Sequence, residues 1–401
     1  MRVKGLLIAF RDHVLKHDRL MSLCFLITIS VIGVFNLPQT LRSVYSYGSD
    51  ETISAQQKTN GIQNALDENF KGKTPFINLN GLARRAMGQR EMNLVYKLSN
   101  GTLYQLVYPE DTRDEAETTI AFKRELDQRG IRYMYVAAPN QINYDNASLL
   151  PMGVYDSGDS NITSFVVPLE ENGVDVLDLR VAAAQQNIDL QDMFFKTDHH
   201  WLPKSGFWAF QEIVQRMKDG NSGYPESFVT NFDNYHVDTY KNVLLGSYGR
   251  RTGIFFGGLD DLDIILPDFE TDVTARFLND DGTEFATWSG SFADVFYDWD
   301  ILEKDDYFNS EIYTVYGRGY PIVSVFKNPN APCQKRALVI TDSFGQVVKP
   351  FLALYFSEVY SISPFDYRTM SYLEYVDSVQ PDCVIMLYSS SAFSREGFNY
   401  F

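Results

Sequence analysis

The chain has 401 residues, 45% hydrophobic and 14% aromatic, enough to bury one large core, and a formal net charge of −17. A surface of that sign repels nucleic acid and other polyanions, which excludes nucleic-acid binding from the leading readings. Three cysteines, Cys24, Cys333 and Cys383, are too few for an extracellular disulfide framework and form no CxxC metal pattern.

The first feature in chain order is the uncharged run Leu20 to Leu37, which as a helix spans about 27 Å, close to the hydrocarbon thickness of a bilayer. Arg2, Lys4, Arg11, Lys16 and Arg19 precede it against Asp12 and Asp18. Basic residues stay on the cytoplasmic side, so residues 1–19 are expected inside the cell and the bulk of the chain outside, single-pass in the cell membrane. The run passes into Asn36-Leu37-Pro38-Gln39 without a small-x-small site, which favours an uncleaved signal anchor over 20–37 above a removed signal peptide. Within Val3 to Leu15, the residues Leu6, Leu7, Phe10 and Val14 are spaced to face lipid at the inner surface.

Residues 38–63, rich in Ser, Gln, Thr and Gly, read as a stalk. The globular part is then 64–401. A helix over Arg113 to Gln128, a strand over Arg132 to Ala138 stopping at Pro139-Asn140-Gln141, a strand over Val174 to Leu179 and a helix over Val181 to Gln186 alternate in the order of an α/β fold. Such alternation predicts a mostly parallel sheet covered by helices on both faces.

Thr197-Asp198-His199-His200-Trp201 comes next, ahead of a helix that begins near Pro203 and carries Phe207, Phe210, Ile213, Val214 and Met217. In extended chain, residues two apart share a side, so Asp198 and His200 converge while His199 points away. From about 220 to 330 the texture turns to Gly, Asp, aromatic and β-branched residues, expected as a β-rich insertion forming part of a cleft wall. Its Tyr248, Phe255, Phe256, Tyr297 and Trp299 suit a sugar-binding face, and ordinary core packing equally.

The α/β pattern resumes with a buried strand, Arg336 to Thr341, that ends in Asp342-Ser343 and turns at Phe344-Gly345 into a helix over Gln346 to Tyr355. A strand over Glu358 to Ile362, a helix over Tyr367 to Ser378 and a strand over Asp382 to Leu387 follow. Cys333 lies just before the serine strand and Cys383 begins the last one; a bridge between them and two buried thiols both fit.

A nucleophilic serine needs a base, and the base needs a carboxylate to hold its tautomer. Ser343, His200 and Asp198 can supply these roles. Ser343 stands at the C-terminal end of a strand, where open α/β sheets bind ligands, and the backbone N–H groups after it can face an oxyanion. Asn140 and Gln141, at the end of another strand, can donate from the same rim or simply cap a turn. Asp198, His199 and His200 could instead be metal ligands as in DHH phosphoesterases, but those need further Asp-rich motifs, and Asp260-Asp261-Leu262-Asp263 has no matching context, so no metal is expected. A DHHC palmitoyltransferase would need Cys at Trp201.

The Thr197–Trp201 stretch, the strand ending in Asp342-Ser343-Phe344 and the later Pro350-Phe351-Leu352-Ala353 resemble the DHHW protein family. That family is similar to the SGNH-hydrolase-like O-acetyltransferases of bacterial exopolysaccharides, the alginate acetylation proteins among them. The resemblance runs roughly from Phe70 to Ser391 and departs at Thr341, where many relatives have Gly. It implies an SGNH-hydrolase-like fold, catalysis by Asp198, His200 and Ser343 without a cofactor, a polysaccharide acceptor and a multi-span membrane acyltransferase that brings acetyl groups across the membrane. The expected activity is serine-dependent O-acetyl transfer or ester hydrolysis at the cell surface; the alternative is a catalytically inactive polysaccharide-binding protein of the same fold.

Overall fold

The computed structural model describes residues 2–49, 54–219, 223–304, 306–395 and 397–401. The chain divides into two compact units, residues 1–77 and 78–401.

In the first unit, α1 (Arg2–Gly48) contains the stretch Arg19–Gly48, which among the described residues is the one segment long and apolar enough to cross a membrane. The side chains of residues 2–18, and with them the expected lipid-facing Leu6, Leu7, Phe10 and Val14, lie outside the described set. Within the stretch read as a stalk, α1 continues through Pro38 to Gly48, and α2 (Ala55–Asn69) packs back along it. A Ser54–Gln57 capping box starts α2 by satisfying two orphan donors reciprocally. Gly61 lies so close to Tyr47 that a Cβ would meet the ring at 2.4 Å, and Lys71 N–H donates to Asn36 Oδ1 at 2.7 Å.

α3 (Lys73–Ala86) leads into the second unit. There β1 (Glu91–Met92), β2 (Val95–Lys97) and β3 (Leu103–Tyr104) make a small antiparallel sheet. α4 (Arg113–Gln128), β4 (Arg132–Ala137), α5 (Gly158–Glu171), β5 (Asp175–Asp178), α6 (Leu179–Gln185) and α7 (Pro203–Lys218) follow. Next come β6 (Tyr235–Leu244), α8 (Ser247–Thr252), α9 (Ile254–Gly257), β7 (Asp260–Pro267), β8 (Val273–Leu278), β9 (Glu284–Gly290) and α10 (Phe292–Phe296). The last third holds β10 (Val323–Lys327), β11 (Cys333–Thr341), α11 (Gly345–Tyr355), β12 (Phe356–Ile362), α12 (Tyr372–Val379) and β13 (Cys383–Tyr388).

The central sheet has eight strands in the order β5-β4-β13-β11-β12-β10-β8-β9. The five from β5 to β12 are parallel, and the remaining three run antiparallel to their neighbours. Alternate residues of β4 enter two cores: Met134 and Val136 face α7 and α11, while Tyr133 and Tyr135 face α4, α5 and α12. Both faces are therefore covered, as a mostly parallel sheet requires. Ser247, Tyr248, Arg251, Glu311 and Tyr320 of the β-rich section line the cleft. β6 and β7 pair as a ribbon, while β8, β9 and β10 extend the central sheet beyond β12. Cys333 and Cys383 are free and buried, and Cys24 is free.

Candidate active site

The stretch carrying Asp198 and His200 is a tight loop closed by a bridge between Phe194 and Trp201 and by Phe195 N–H donating to the His200 carbonyl at 3.2 Å. Buried Asp260 pins it by accepting from Lys196 N–H at 2.9 Å, Thr197 N–H at 2.8 Å and Thr197 Oγ at 2.6 Å. From the other side the start of α8 closes in. Gly246 packs so tightly that a Cβ would sit 2.3 Å from Asp198 Cβ, and Ser247 N–H donates to Asp198 Oδ2 at 2.5 Å.

Ser343 follows β11, and Asp342 sets its turn. One Asp342 oxygen accepts from Phe344 N–H at 3.0 Å; the other accepts from the N–H and hydroxyl of Ser389, after the neighbouring β13, at 2.8 and 2.7 Å. Trp201, fully buried, ties the two stretches together by donating to the Phe344 carbonyl at 3.1 Å. Thr341 is accommodated: its hydroxyl donates to the Leu387 carbonyl at 2.9 Å, and its side chain occupies the space that Gly345 leaves open.

These braces bring Asp198, His200 and Ser343 into one line. His200 Nδ1 lies 2.7 Å from Asp198 Oδ1, and His200 Nε2 lies 2.7 Å from Ser343 Oγ. The carboxylate can only accept, so Nδ1–H donates to it and Nε2 is left to accept from the serine hydroxyl. Tyr313 stacks on the His200 ring with centroids 4.0 Å apart and planes 10° from parallel. Burial works to raise the Asp198 pKa, but the charges of His199 and His200 and the hydrogen bonds from His200 outweigh it and hold the carboxyl well below the usual range.

His199 does not point away. Its ring lies 3.8 Å from that of His200, with Nδ1 2.8 Å from Ser247 Oγ and 3.3 Å from Asp198 Oδ1. The expectation assumed extended backbone, and the Asp260 clamp bends the loop instead. Asp198, His199 and His200 offer ligand atoms within 4.8 Å of one another, but the carboxylate oxygens and the Nε2 of His200 are already committed to the hydrogen bonds above.

Asn140, Gln141, His199, His200 and Ser343 line one cleft of about 710 Å³. The two amide residues differ within it. Asn140 Oδ1 accepts from Ser390 Oγ at 2.6 Å, and its Nδ2, beside Gly158, is buried with no partner among the described residues. Gln141 is a brace: its Nε2 donates to the Phe195 carbonyl at 3.4 Å, and its own carbonyl accepts from Asn146 and Gln191. The N–H groups after Ser343 are not free for an oxyanion either, since those of Phe344, Gly345 and Gln346 are bonded within the turn to Asp342 Oδ1, the Asp342 carbonyl and the Ser343 carbonyl. Of the expected aromatic face only Tyr248 lines the cleft; Phe256 and Tyr297 are core, and the other rings at the cleft are Tyr104, Tyr108, Phe194, Tyr320, Phe344 and Phe365.

Residues 103–241 match the family model of the SGNH hydrolase-like domain of acetyltransferase AlgX. The match includes Asp198 and His200 and ends before Ser343. Over these residues the chain is similar to an SGNH hydrolase-like domain. Among solved structures the chain is similar to PatB1 of Bacillus cereus, at 22% identity and TM-score 0.63 over 77% of this chain and 99% of that one. PatB1 with a sulfonyl adduct gives 21% identity and TM-score 0.62, over 76% and 97% of the two chains. A DHHW family protein from Eubacterium siraeum gives 16% identity and TM-score 0.57, over 75% and 91%. No curated protein sequence matches the chain. The parallel strands supply the strand ends, and the braces from Asp260, Ser247 and Ser389 supply the alignment.

Proposed function

We propose that the protein is a membrane-anchored, serine-dependent O-acetyltransferase acting outside the cytoplasm on a polysaccharide. The observation that carries this reading is the unbroken chain Asp198, His200, Ser343 with both links at 2.7 Å. His200 takes the Ser343 proton as Oγ attacks the acetyl carbonyl, then returns it to the departing group; Asp198 holds the imidazole and stabilises its charged form. The resulting acetyl-Ser343 passes its acetyl group to an acceptor hydroxyl.

Two donors support oxyanion stabilisation. One is the Ser343 N–H, which has no partner among the described residues; the other, Asn140 Nδ2, also without a partner among them, is buried beside Gly158 and would have to turn toward the cleft to donate. The matched family is described as an acetyltransferase, and PatB1 has been solved with a sulfonyl adduct, the product of a reagent class that captures activated nucleophiles. The apolar stretch Arg19–Gly48 and the basic residues before it support an anchor with the domain outside. Acetyl-coenzyme A is not available there, so a multi-span membrane acyltransferase is the proposed donor partner.

A second reading, a silent polysaccharide-binding protein, draws on the occupied N–H groups of Phe344, Gly345 and Gln346. The full-length protein in detergent, mixed with p-nitrophenyl acetate, separates the two. A burst of nitrophenol with an added acetyl mass, both lost in Ser343→Ala and His200→Ala, supports the enzyme. A folded protein with neither burst nor adduct, and with no sulfonyl fluoride labelling of Ser343, supports the binder.

A further inference from the structure

Two imidazoles line the cleft side by side, and the triad uses only one. His199 Nδ1 hydrogen-bonds Ser247 Oγ at 2.8 Å, and Asp198 Oδ1 lies 3.3 Å from the same nitrogen. The Ser247 hydroxyl can donate or accept, but the carboxylate charge so near Nδ1 favours a proton on that nitrogen, which leaves the lone pair on Nε2. Among the described residues that nitrogen has no partner. The side chain is 38% exposed and lines the cleft that also holds His200 and Ser343. Burial, and after it the charge of His200, lowers the His199 pKa to about 4, which keeps the ring a neutral acceptor near pH 7.

We propose that His199 Nε2 accepts a hydrogen bond from a second hydroxyl of the acceptor, adjacent to the one that takes the acetyl group, so that the site selects a vicinal diol of a saccharide over water. The inference rests on the acetyl-transfer reading. In the transfer step His200 Nε2 removes the proton of the first hydroxyl, its oxygen bonds to the acetyl carbon, the bond from that carbon to Ser343 Oγ breaks, and His200 returns the proton to Oγ. His199 exchanges no proton. It fixes the second hydroxyl, and the carbon frame between the two oxygens then aims the first at the acetyl carbon. Water has no such frame, so its attack gains no orientation from His199.

The test starts from the full-length protein in detergent, acetylated with p-nitrophenyl acetate. Loss of the acetyl mass is followed with buffer alone, with methyl β-glucoside, which has adjacent hydroxyls, and with cyclohexanol, which has one. The glucoside is expected to speed deacetylation and cyclohexanol is not. In His199→Ala the glucoside KM should rise about tenfold, the worth of one hydrogen bond, while acetylation of Ser343, which needs no acceptor, falls far less. His199→Gln, whose side-chain oxygen also accepts, should recover part of the loss. An unchanged glucoside KM in His199→Ala, equal effects of glucoside and cyclohexanol on the natural protein, or an equal fall in acetylation and transfer each overturn the proposal. Absence of acetyl-Ser343 in the natural protein, read before any His199 variant is made, removes the acetyl-transfer reading and this one with it.

Discussion

Thr341 and Gly345 share one space in the serine turn: a Cβ at 345 would lie 2.3 Å from Thr341 Cγ2 and 2.4 Å from its Oγ. A glycine at the strand end is thus unnecessary here, because the small residue sits at the start of α11. Gly345→Ala should overpack the turn, at a cost of roughly 1–3 kcal/mol, and displace Ser343 from His200. Thr341→Gly in the same chain should restore both. Denaturant midpoints and nitrophenol release on the single and double variants check this; a double variant no better than Gly345→Ala would refute the shared-space account.

Asp342 is buried and accepts three hydrogen bonds from Phe344 and Ser389. Asp342→Asn replaces one accepting oxygen with a donor and leaves the N–H and hydroxyl of Ser389, or the Phe344 N–H, facing an amide. The expected loss is about 1–3 kcal/mol of stability, with a larger proportional fall in Ser343 acetylation. Thermal unfolding together with the acetylation rate reads both, and a variant that is less stable but fully active would show that the strap does not position Ser343.

Asp198→Asn keeps the shape of the carboxylate and removes its charge. The amide can stabilise the wrong His200 tautomer, so acetylation should fall roughly 10³–10⁴-fold. Ser247 N–H still finds an acceptor if the amide oxygen faces it, so the fold should persist. Intact-mass kinetics and circular dichroism decide; a folded variant within a factor of about ten of the natural rate would remove Asp198 from the triad.

Acid should weaken the site through His199 first. Its ordinary value of 6.5 drops to about 4 in the folded chain, so between those pH values the unfolded chain binds more protons and stability falls as pH falls. Asp198, held well below the usual carboxylate range, adds a loss of the same sign only at lower pH, as the unfolded carboxyl protonates near its ordinary 3.8. In His199→Gln the dependence between pH 6.5 and 4 should flatten, which denaturant titrations at several pH values would reveal; an unaltered slope refutes the assignment.

Lys349, within α11, is buried, and burial lowers its pKa to about 8. The unfolded chain binds the proton more tightly from pH 8 to 10.5, so stability should rise with pH across that window. Lys349→Met should abolish the rise and stabilise the protein at pH 7 by up to roughly 3 kcal/mol. A destabilised Lys349→Met would mean that the ammonium has a compensating partner in solution.

The sheet was legible where periodicity and length agreed. The helix over Arg113–Gln128 matches its expected span, and the strands at 132, 175, 356 and 383 fall within two residues of theirs. Asp198, His200 and Ser343 were legible because their residue types and strand-end placement carry chemistry. What supports them was not: Ser247 lies 49 residues from Asp198 and Asp260 lies 63 from Thr197, and a lone serine or aspartate gives no local sign of a partner that far away. His199 was misplaced because two-residue alternation holds only in extended chain. The joining of β8, β9 and β10 to the central sheet is equally silent locally, since their short alternating runs fit a ribbon as well as an edge. The start of α2 was readable from Ser54 and Gln57 and was obscured by the polar composition around them.

The position of β13 has a consequence for how the protein comes to work. This last strand lies between β4 and β11, so it alone joins the strands made early in synthesis to those made late. Until residues 383–388 take their place, β5 and β4 on one side and the other five strands on the other share no backbone ladder. The Asp342 strap then keeps its hold on Phe344 N–H and lacks its two bonds from Ser389. Without β13 the stretches that carry His200 and Ser343 would be joined by side-chain packing alone, α7 on α11 and Trp201 on the Phe344 carbonyl.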